Sequence, residues 1–234
     1  MQVTLLVMTL NEIDGMKVIM PQIDRSWCSQ IIIVDGGSTD GTIEWAQANG
    51  YETYVQKRKG FRHAYNEVLP MVSGDVVLTF SPDGNSLSEL IPDLIEEMKK
   101  GYDMVIVSRY LKGASSEDDD IITAFGNWLF TKTVNILHGG SYTDAMVIFR
   151  AYKKQVIYDL DLHKESGFRY AERLFNTQIS WEPLLSVRAA KRKLNITEIP
   201  GDEPPRIGGE RKLKIIRWGA AYYLQFWTEL FFWR

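Results

Sequence analysis

The feature that most constrains this chain is a series of continuous apolar runs, each ending at a polar or acidic residue and each followed by a stretch of helical spacing. Residues 3–9 (VTLLVMT), 30–35 (QIIIVD), 75–80 (DVVLTF) and 103–108 (DMVIVS) are such runs, and 52–56 is a shorter one. A strand that is apolar at every position, rather than at alternate ones, must be buried on both faces. Helical segments are predicted between the runs, over 13–24, 39–49, 62–72 and 88–100. In the first of these Met16, Ile19, Met20 and Ile23 share one side, and Pro21 should bend or shorten it. Gly50 is the expected stop of the second. Repeated strand–helix–strand units of this kind predict an α/β fold, a mostly parallel central sheet with helices on both faces.

The second half changes character. Residues 115–120 (SSEDDD) read as a polar loop with Ser116 as the cap of a long helix over 121–137. An extra strand is expected over 143–150, helices over 169–175 and 183–192, and a last strand over 194–199. A Pro/Gly-rich loop, 201–209, leads to an aromatic helix over 213–233. No linker is visible, so we read residues 1–212 as one domain and 213–234 as an appended helix. The formal charge of −3 gives no global attraction to nucleic acid, and no nucleic-acid partner is predicted. Cys28 is the single cysteine, which excludes an intramolecular disulfide and suits a reducing, cytoplasmic setting. The N-terminal run has no basic flank and reads as a strand rather than a signal peptide. No apolar stretch has the roughly 18 residues of a membrane span.

Open α/β sheets bind ligands beyond the carboxyl ends of their strands. Here those ends read Thr9-Leu10-Asn11-Glu12, then Asp35-Gly36-Gly37-Ser38-Thr39-Asp40-Gly41-Thr42, Ser81-Pro82-Asp83-Gly84-Asn85 and Ser108-Arg109-Tyr110. The glycines lack the spacing of a dinucleotide fingerprint, and there is no P-loop, so a dinucleotide oxidoreductase and a P-loop enzyme are disfavoured.

The pieces TLNE at 9–12, IIIVDGGSTDGT at 31–42, Asp83 in FSPDGNS, SRYLKG at 108–113 and EIPGDEPPRIGGERKL at 198–213 occur in one order across most of the chain. Together they resemble the family 2 GT-A glycosyltransferases, and within them the dolichol-phosphate-mannose-synthase-like branch. The resemblance implies a GT-A (nucleotide-diphospho-sugar transferase) fold. It also implies transfer of a hexose-type sugar from a GDP- or UDP-linked donor to a lipid-linked phosphate, with inversion. It places Glu12 beside the nucleotide base and Asp35 in hydrogen bonds to it. Thr9, Asn11 and Gly36 complete that donor-binding set. Arg109 is implied to contact phosphate. Arg206 and Lys212, with Arg211, fall in the loop that closes over the donor diphosphate. A sugar-nucleotide transfer leaves a charged diphosphate, commonly neutralised by Mg²⁺ or Mn²⁺. The family offers Asp-x-Asp for this; here Ser81 replaces the first carboxylate, leaving Asp83 and, as a further oxygen ligand, Asn85.

Each piece also has a plainer reading. Glu12 is favourable at any helix start, and Pro-Asp-Gly-Asn is a turn sequence. A hydroxyl acceptor would need a carboxylate base, for which Glu172, Glu182 and Asp144 are the candidates; an ionised phosphate acceptor would need none. Two other functions fit parts of the pattern: a sugar-phosphate nucleotidyltransferase, and a non-catalytic nucleotide-sugar-binding protein. The aromatic C-terminal helix must be covered by something: the protein's own core, a second copy, or a membrane surface. The last would place the protein peripherally on the inner face of a membrane.

Overall fold

The computed structural model describes residues 1–208 and 215–233, with the side chains of Ile215 and Ile216 excepted. The first half alternates strictly: β1 (Val3–Thr9), α1 (Ile13–Ile19), β2 (Gln30–Asp35), α2 (Thr42–Ala48), β3 (Glu52–Val55), α3 (Phe61–Val68), β4 (Val76–Phe80), α4 (Ile91–Lys99) and β5 (Met104–Ser108). The second half adds α5 (Ile121–His138), β6 (Arg150–Lys153), α6 (Lys154–Asp159), α7 (Ser166–Phe175), α8 (Glu182–Lys191), β7 (Ile196–Pro200) and α9 (Ile215–Phe232). The strands form one sheet in the order β3-β2-β1-β4-β6-β5-β7. All pairings are parallel except those of β6, which runs antiparallel to β4 and β5.

The two-residue strand period divides the core. Val3, Leu5 and Val7 of β1 pack on one side of the sheet with Met16, Leu94 and Met98 from α1 and α4. Leu6 and Met8 point to the other side, where Tyr65, Val134, Leu184 and Phe226 come from α3, α5, α8 and α9. The sheet is thus covered on both faces.

Several predicted boundaries move, each for a local reason. The helix expected from residue 13 stops at Ile19, and a 3₁₀ turn carrying Pro21 follows it. The helix expected from 39 begins at Thr42, because Gly41 sits at φ 95° and Asp40 accepts from the Thr42 N–H at 3.0 Å. The strand expected over 143–150 is an irregular segment. The N–H groups of Thr143 and Asp144 donate to the Glu198 carboxylate rather than to a neighbouring strand, and the strand itself starts at Arg150. The cap of α5 is Asp120, which accepts from Thr123 N–H at 2.7 Å, and not Ser116, whose hydroxyl donates to Glu203. Helix α6 was not expected at all.

The C-terminal helix lays one face on α5, α7 and α8, burying Ala221, Tyr222 and Phe226, and Trp233 is buried just past its end. Its polar contacts are buried as well. Gln225 donates to the Gly167 carbonyl at 2.8 Å, and Arg188 of α8 makes a two-pronged ion pair with Glu229 at 2.7 and 2.8 Å. Such a pair resists detachment, because either charge left alone in the interior would be costly. The opposite side of α9 leaves Trp227, Leu230 and Phe231 exposed, and neighbouring α5 exposes Ile121 (89%), Phe125 (59%), Trp128 (55%) and Ile136 (80%). Among the described residues no helix is long and apolar enough to cross a membrane.

Candidate active site

The two motifs after β1 and β2 are clasped together. Asn11, held at φ 53°, accepts from Thr39 N–H at 2.8 Å, and its own N–H donates to the Ser38 hydroxyl at 2.7 Å. Glu12 N–H donates to Thr42 Oγ1 and Ile13 N–H to Asp40. Asp35 is 1% exposed; its carboxylate accepts from Thr9 Oγ1, from the N–H groups of Gly37 and Ser38, and from the Ser38 hydroxyl. Many donors aimed at one carboxylate fix this loop's shape. Gly36 lies so close to Leu10 that a Cβ there would stand 3.2 Å from the leucine Cβ.

The turn after β4 is gripped from both sides. On one side α1 approaches it through Gly15, where a Cβ would come within 2.2 Å of the Pro82 carbonyl oxygen. On the other, the loop after β7 straps over it: Ile207 N–H donates to the Asp83 carbonyl at 2.8 Å, and Arg206 Nη1 meets Asp83 Oδ2 at 2.9 Å. Gly84, at φ 91°, presses against Ile207 where any side chain would collide. Asn85 gives its N–H to Asp83 Oδ1 and its Nδ2 to Asp118 Oδ2 at 2.9 Å. Asp118 is a carboxylate and in its ionised form only accepts, so the amide orientation is fixed. Asn85 Oδ1 is then left buried with no hydrogen-bond donor.

Arg109, just after β5, is held between two acids. Its Nε and Nη2 donate to Asp144 at 2.6 and 3.1 Å, and its Nη1 to Glu203 at 3.0 and 3.2 Å. Burial alone would raise the Asp144 carboxyl, but the Arg109 guanidinium overrides it and holds the group below its ordinary value. Across this network two guanidinium groups, of Arg109 and Arg206, face four carboxylates, of Asp83, Asp118, Asp144 and Glu203. The surplus of negative charge and the orphaned amide oxygen suit a hard divalent cation. No three His, Cys, Asp or Glu side chains among the described residues form a ready-made cage for one. Phosphate oxygens would have to complete its shell.

These groups open into a cleft of 1030 Å³. Thr9, Glu12 and Gly36 line it at one end, with Asp83, Asn85, Arg109 and Arg206 on the floor. Asp35 and Asp144 are buried behind the surface and hold the lining residues Thr9 and Arg109 in place, while Asn11 is exposed beside the cleft and holds Thr39. Glu172 lines the cleft but is paired with Arg62 at 2.7 Å and accepts from Ile179 N–H. Glu182 also lines it, 3% exposed, and accepts a short hydrogen bond from Tyr65, whose ring stacks on Trp181 at 4.6 Å. Lys212 and Arg211 lie outside the described residues. Arg62 and His63 are buried, and burial, reinforced by Arg62, lowers the His63 pKa and favours its neutral form.

Sequence reasoning missed Asp118 and Glu203 as cleft residues. Asp118 lies in the acidic run that read as a helix cap, and Glu203 in the loop whose arginine drew attention. The approach of Gly15 to Pro82 left no trace in the local sequence.

A family model described as "Glycosyl transferase family 2" matches residues 26–161. A dolichyl-phosphate hexose transferase of Haloferax volcanii is 29% identical over 215 residues, 91% of this chain and 87% of that protein. An undecaprenyl-phosphate mannosyltransferase of Micrococcus luteus is 25% identical over 241 residues, 94% of this chain and 95% of that protein. Among solved structures, glucosyl-3-phosphoglycerate synthase from Mycobacterium tuberculosis, in complex with Mn²⁺, UDP and phosphoglyceric acid, superposes with a TM-score of 0.65 at 18% identity. The match covers 98% of this chain and 78% of that one. The fold is therefore GT-A.

Proposed function

Because the chain belongs to glycosyl transferase family 2 and is a glycosyltransferase, we propose that it moves a sugar from a nucleoside-diphosphate donor to a phosphate carried on a polyprenyl-type lipid. The observation that carries this reading is the lining of one cleft of 1030 Å³ by the ends of β1, β2, β4 and β5 together with the strap 201–208, which is bonded to Asp83. The names of similar proteins that align over more than nine-tenths of the chain support the acceptor class.

In this reading Thr9, Glu12 and Gly36 contact the nucleoside, while Asn11 and Asp35 keep their loop rigid. Asp83 and Asn85 Oδ1 would hold Mg²⁺ or Mn²⁺, which when bound neutralises the diphosphate. Arg206 sits on Asp83 and is within reach of the same oxygens. When a donor arrives its guanidinium exchanges a single contact to the Asp83 carboxylate for phosphate, to which it can bond through two N–H groups. Arg109 is committed to Asp144 and Glu203 and acts by fixing the floor. An acceptor phosphate oxygen attacks the anomeric carbon as the bond to the donor diphosphate breaks; the electron pair leaves on the diphosphate oxygen. No proton moves, so no general base is required, in keeping with Glu172 and Asp144 both being tied to arginines.

We place the protein peripherally on the cytoplasmic side of a membrane, seated through the exposed apolar face of α5 and α9. The test is a transfer assay with UDP- and GDP-sugars and a prenyl monophosphate. Acceptor-dependent release of nucleoside diphosphate is expected. Release of inorganic pyrophosphate, or turnover indifferent to prenyl phosphate, would overturn the reading.

A further inference from the structure

Five arginines line the cleft among the described residues: Arg109, Arg169, Arg173, Arg206 and Arg217. They fall into two groups. Arg109 and Arg206 are neutralised by carboxylates. Arg169, Arg173 and Arg217 make no side-chain ion pair or hydrogen bond among the described residues.

The three are brought together by helix packing. Arg169, Glu172, Arg173 and Asn176 follow one another at helical spacing, and all line the cleft, so one face of α7 looks into it. Glu172, the acid on that face, is already taken by Arg62 and by Ile179 N–H. It therefore leaves the flanking arginines uncompensated. Helix α9 runs antiparallel to α7: Gln225 meets Gly167, and further along Trp233 meets Asp161. Arg217 precedes Gln225 by about two turns, roughly 12 Å, which sets it level with the C-terminal turn of α7 and Arg173. Like charges at such spacing repel unless an anion sits between them.

The same wall is amphiphilic. Thr123 and Asn127 of α5 and Trp218 and Tyr222 of α9 face the cleft, whereas Phe125 and Trp128 of α5 face outward and are exposed. Guanidinium groups inside and apolar side chains outside match a phosphate with a hydrocarbon chain attached.

We propose that Arg169, Arg173 and Arg217 form the seat of the acceptor's phosphate, with its hydrocarbon leaving past α5. This rests on reading the acceptor as a lipid phosphate. Three guanidinium groups supply the charge-assisted donors that keep a phosphate oxygen aimed at the anomeric carbon while the donor's diphosphate stays with Arg206 and the Asp83 turn.

The experiment measures binding by the full-length protein of three probes: a ten-carbon prenyl monophosphate, inorganic phosphate, and whichever of UDP or GDP stabilises the wild type. The variants are Arg169→Gln/Arg173→Gln, Arg217→Gln and the matching lysine substitutions; all three sites are exposed, so folding is preserved. Prenyl phosphate should bind roughly 10- to 100-fold more weakly to the glutamine variants, the loss expected for charge-assisted bonds. Nucleotide binding should stay within about twofold, and lysine should restore part of the loss because it keeps the charge but not the fork. Equal weakening of nucleotide and prenyl phosphate would assign the arginines to the donor and overturn the seat. Unchanged prenyl phosphate binding by the variants would make them a solvated face, leaving the lipid reading intact. A wild type that binds neither phosphate probe overturns the seat as well. Equal, arginine-dependent binding of inorganic and prenyl phosphate would uphold the seat and sink the lipid reading instead.

Discussion

Arg206 and Asp83, 123 positions apart in sequence, are joined by an ion pair of 2.9 Å that closes the strap after β7 over the turn after β4. The pair places a guanidinium on Asp83, which stands where an Asp-x-Asp pattern would have its second carboxylate. On the proposed reading, metal binding at Asp83 and release of Arg206 toward phosphate would be two halves of one exchange.

Asp83→Ala should reduce sugar transfer by roughly 100- to 1000-fold, the scale of losing a group that stabilises transition-state charge. It should also abolish any extra thermal stabilisation that Mn²⁺ adds to donor binding. Arg206→Ala should lower transfer too, yet tighten metal binding, because a competing cation is gone. Turnover of Asp83→Ala at the wild-type rate would show that the turn holds no metal.

Gly15→Ala should destabilise the protein by about 1–3 kcal/mol, the usual cost of overpacking, because the new methyl would push on the Pro82 carbonyl from 2.2 Å. The displaced Asp83 turn should weaken metal-dependent donor binding more than metal-free binding. Gly126→Ala is the control: it sits mid-helix with nothing within 4 Å and should gain up to about 1 kcal/mol. Thermal melts with and without donor and Mn²⁺ read both.

The Asp144 carboxyl titrates below its ordinary value of 3.8 in the fold. The unfolded chain therefore takes up the proton first on acidification. The stability this carboxylate contributes is complete above the unfolded value and is lost as pH falls through the lower folded one. Asp144→Asn should cost roughly 1.5–3 kcal/mol near neutrality, and its deficit relative to wild type should shrink only below about pH 4. Urea unfolding from pH 7 to pH 3 tests this; a deficit that vanished already at pH 6 would assign the titration to another group.

Replacing Phe125 and Trp128 by serine should leave the fold intact, since both side chains are more than half exposed. It should lower binding to anionic vesicles by at least tenfold, from the loss of about 1.5–3 kcal/mol per buried apolar side chain. Co-sedimentation measures it. Undiminished vesicle binding would remove α5 from the membrane seat.

Much of this was written in the sequence. Continuous apolar runs specified the strands because a doubly covered sheet leaves no polar face to alternate with. The strand-end polar residues specified the cleft, because parallel topology brings all such ends to one edge. What was hidden depends on the third dimension. β6 is four residues long, is inserted antiparallel between β4 and β5, and begins with a buried arginine, Arg150, so it carries no strand-like pattern. Asp118 resembles any acidic residue before a helix until Asn85 is seen against it. Gly15 lies in an ordinary helix, and only the 2.2 Å approach to Pro82 explains it. Arg169 and Arg173 show a one-turn spacing, yet nothing local says which way α7 faces.

The docking of α9 through Arg188 and Glu229 has a consequence for the chain as it is made. Domains generally fold as units, and Tyr222 and Phe226 of α9 share one core with Leu6 of β1 and Tyr65 of α3. A nascent chain that has yet to bring out this helix therefore lacks both part of its core and the partner of Arg188. Core and cleft are closed by the same helix, so the wall bearing Trp218 and Tyr222 is complete only when the fold is.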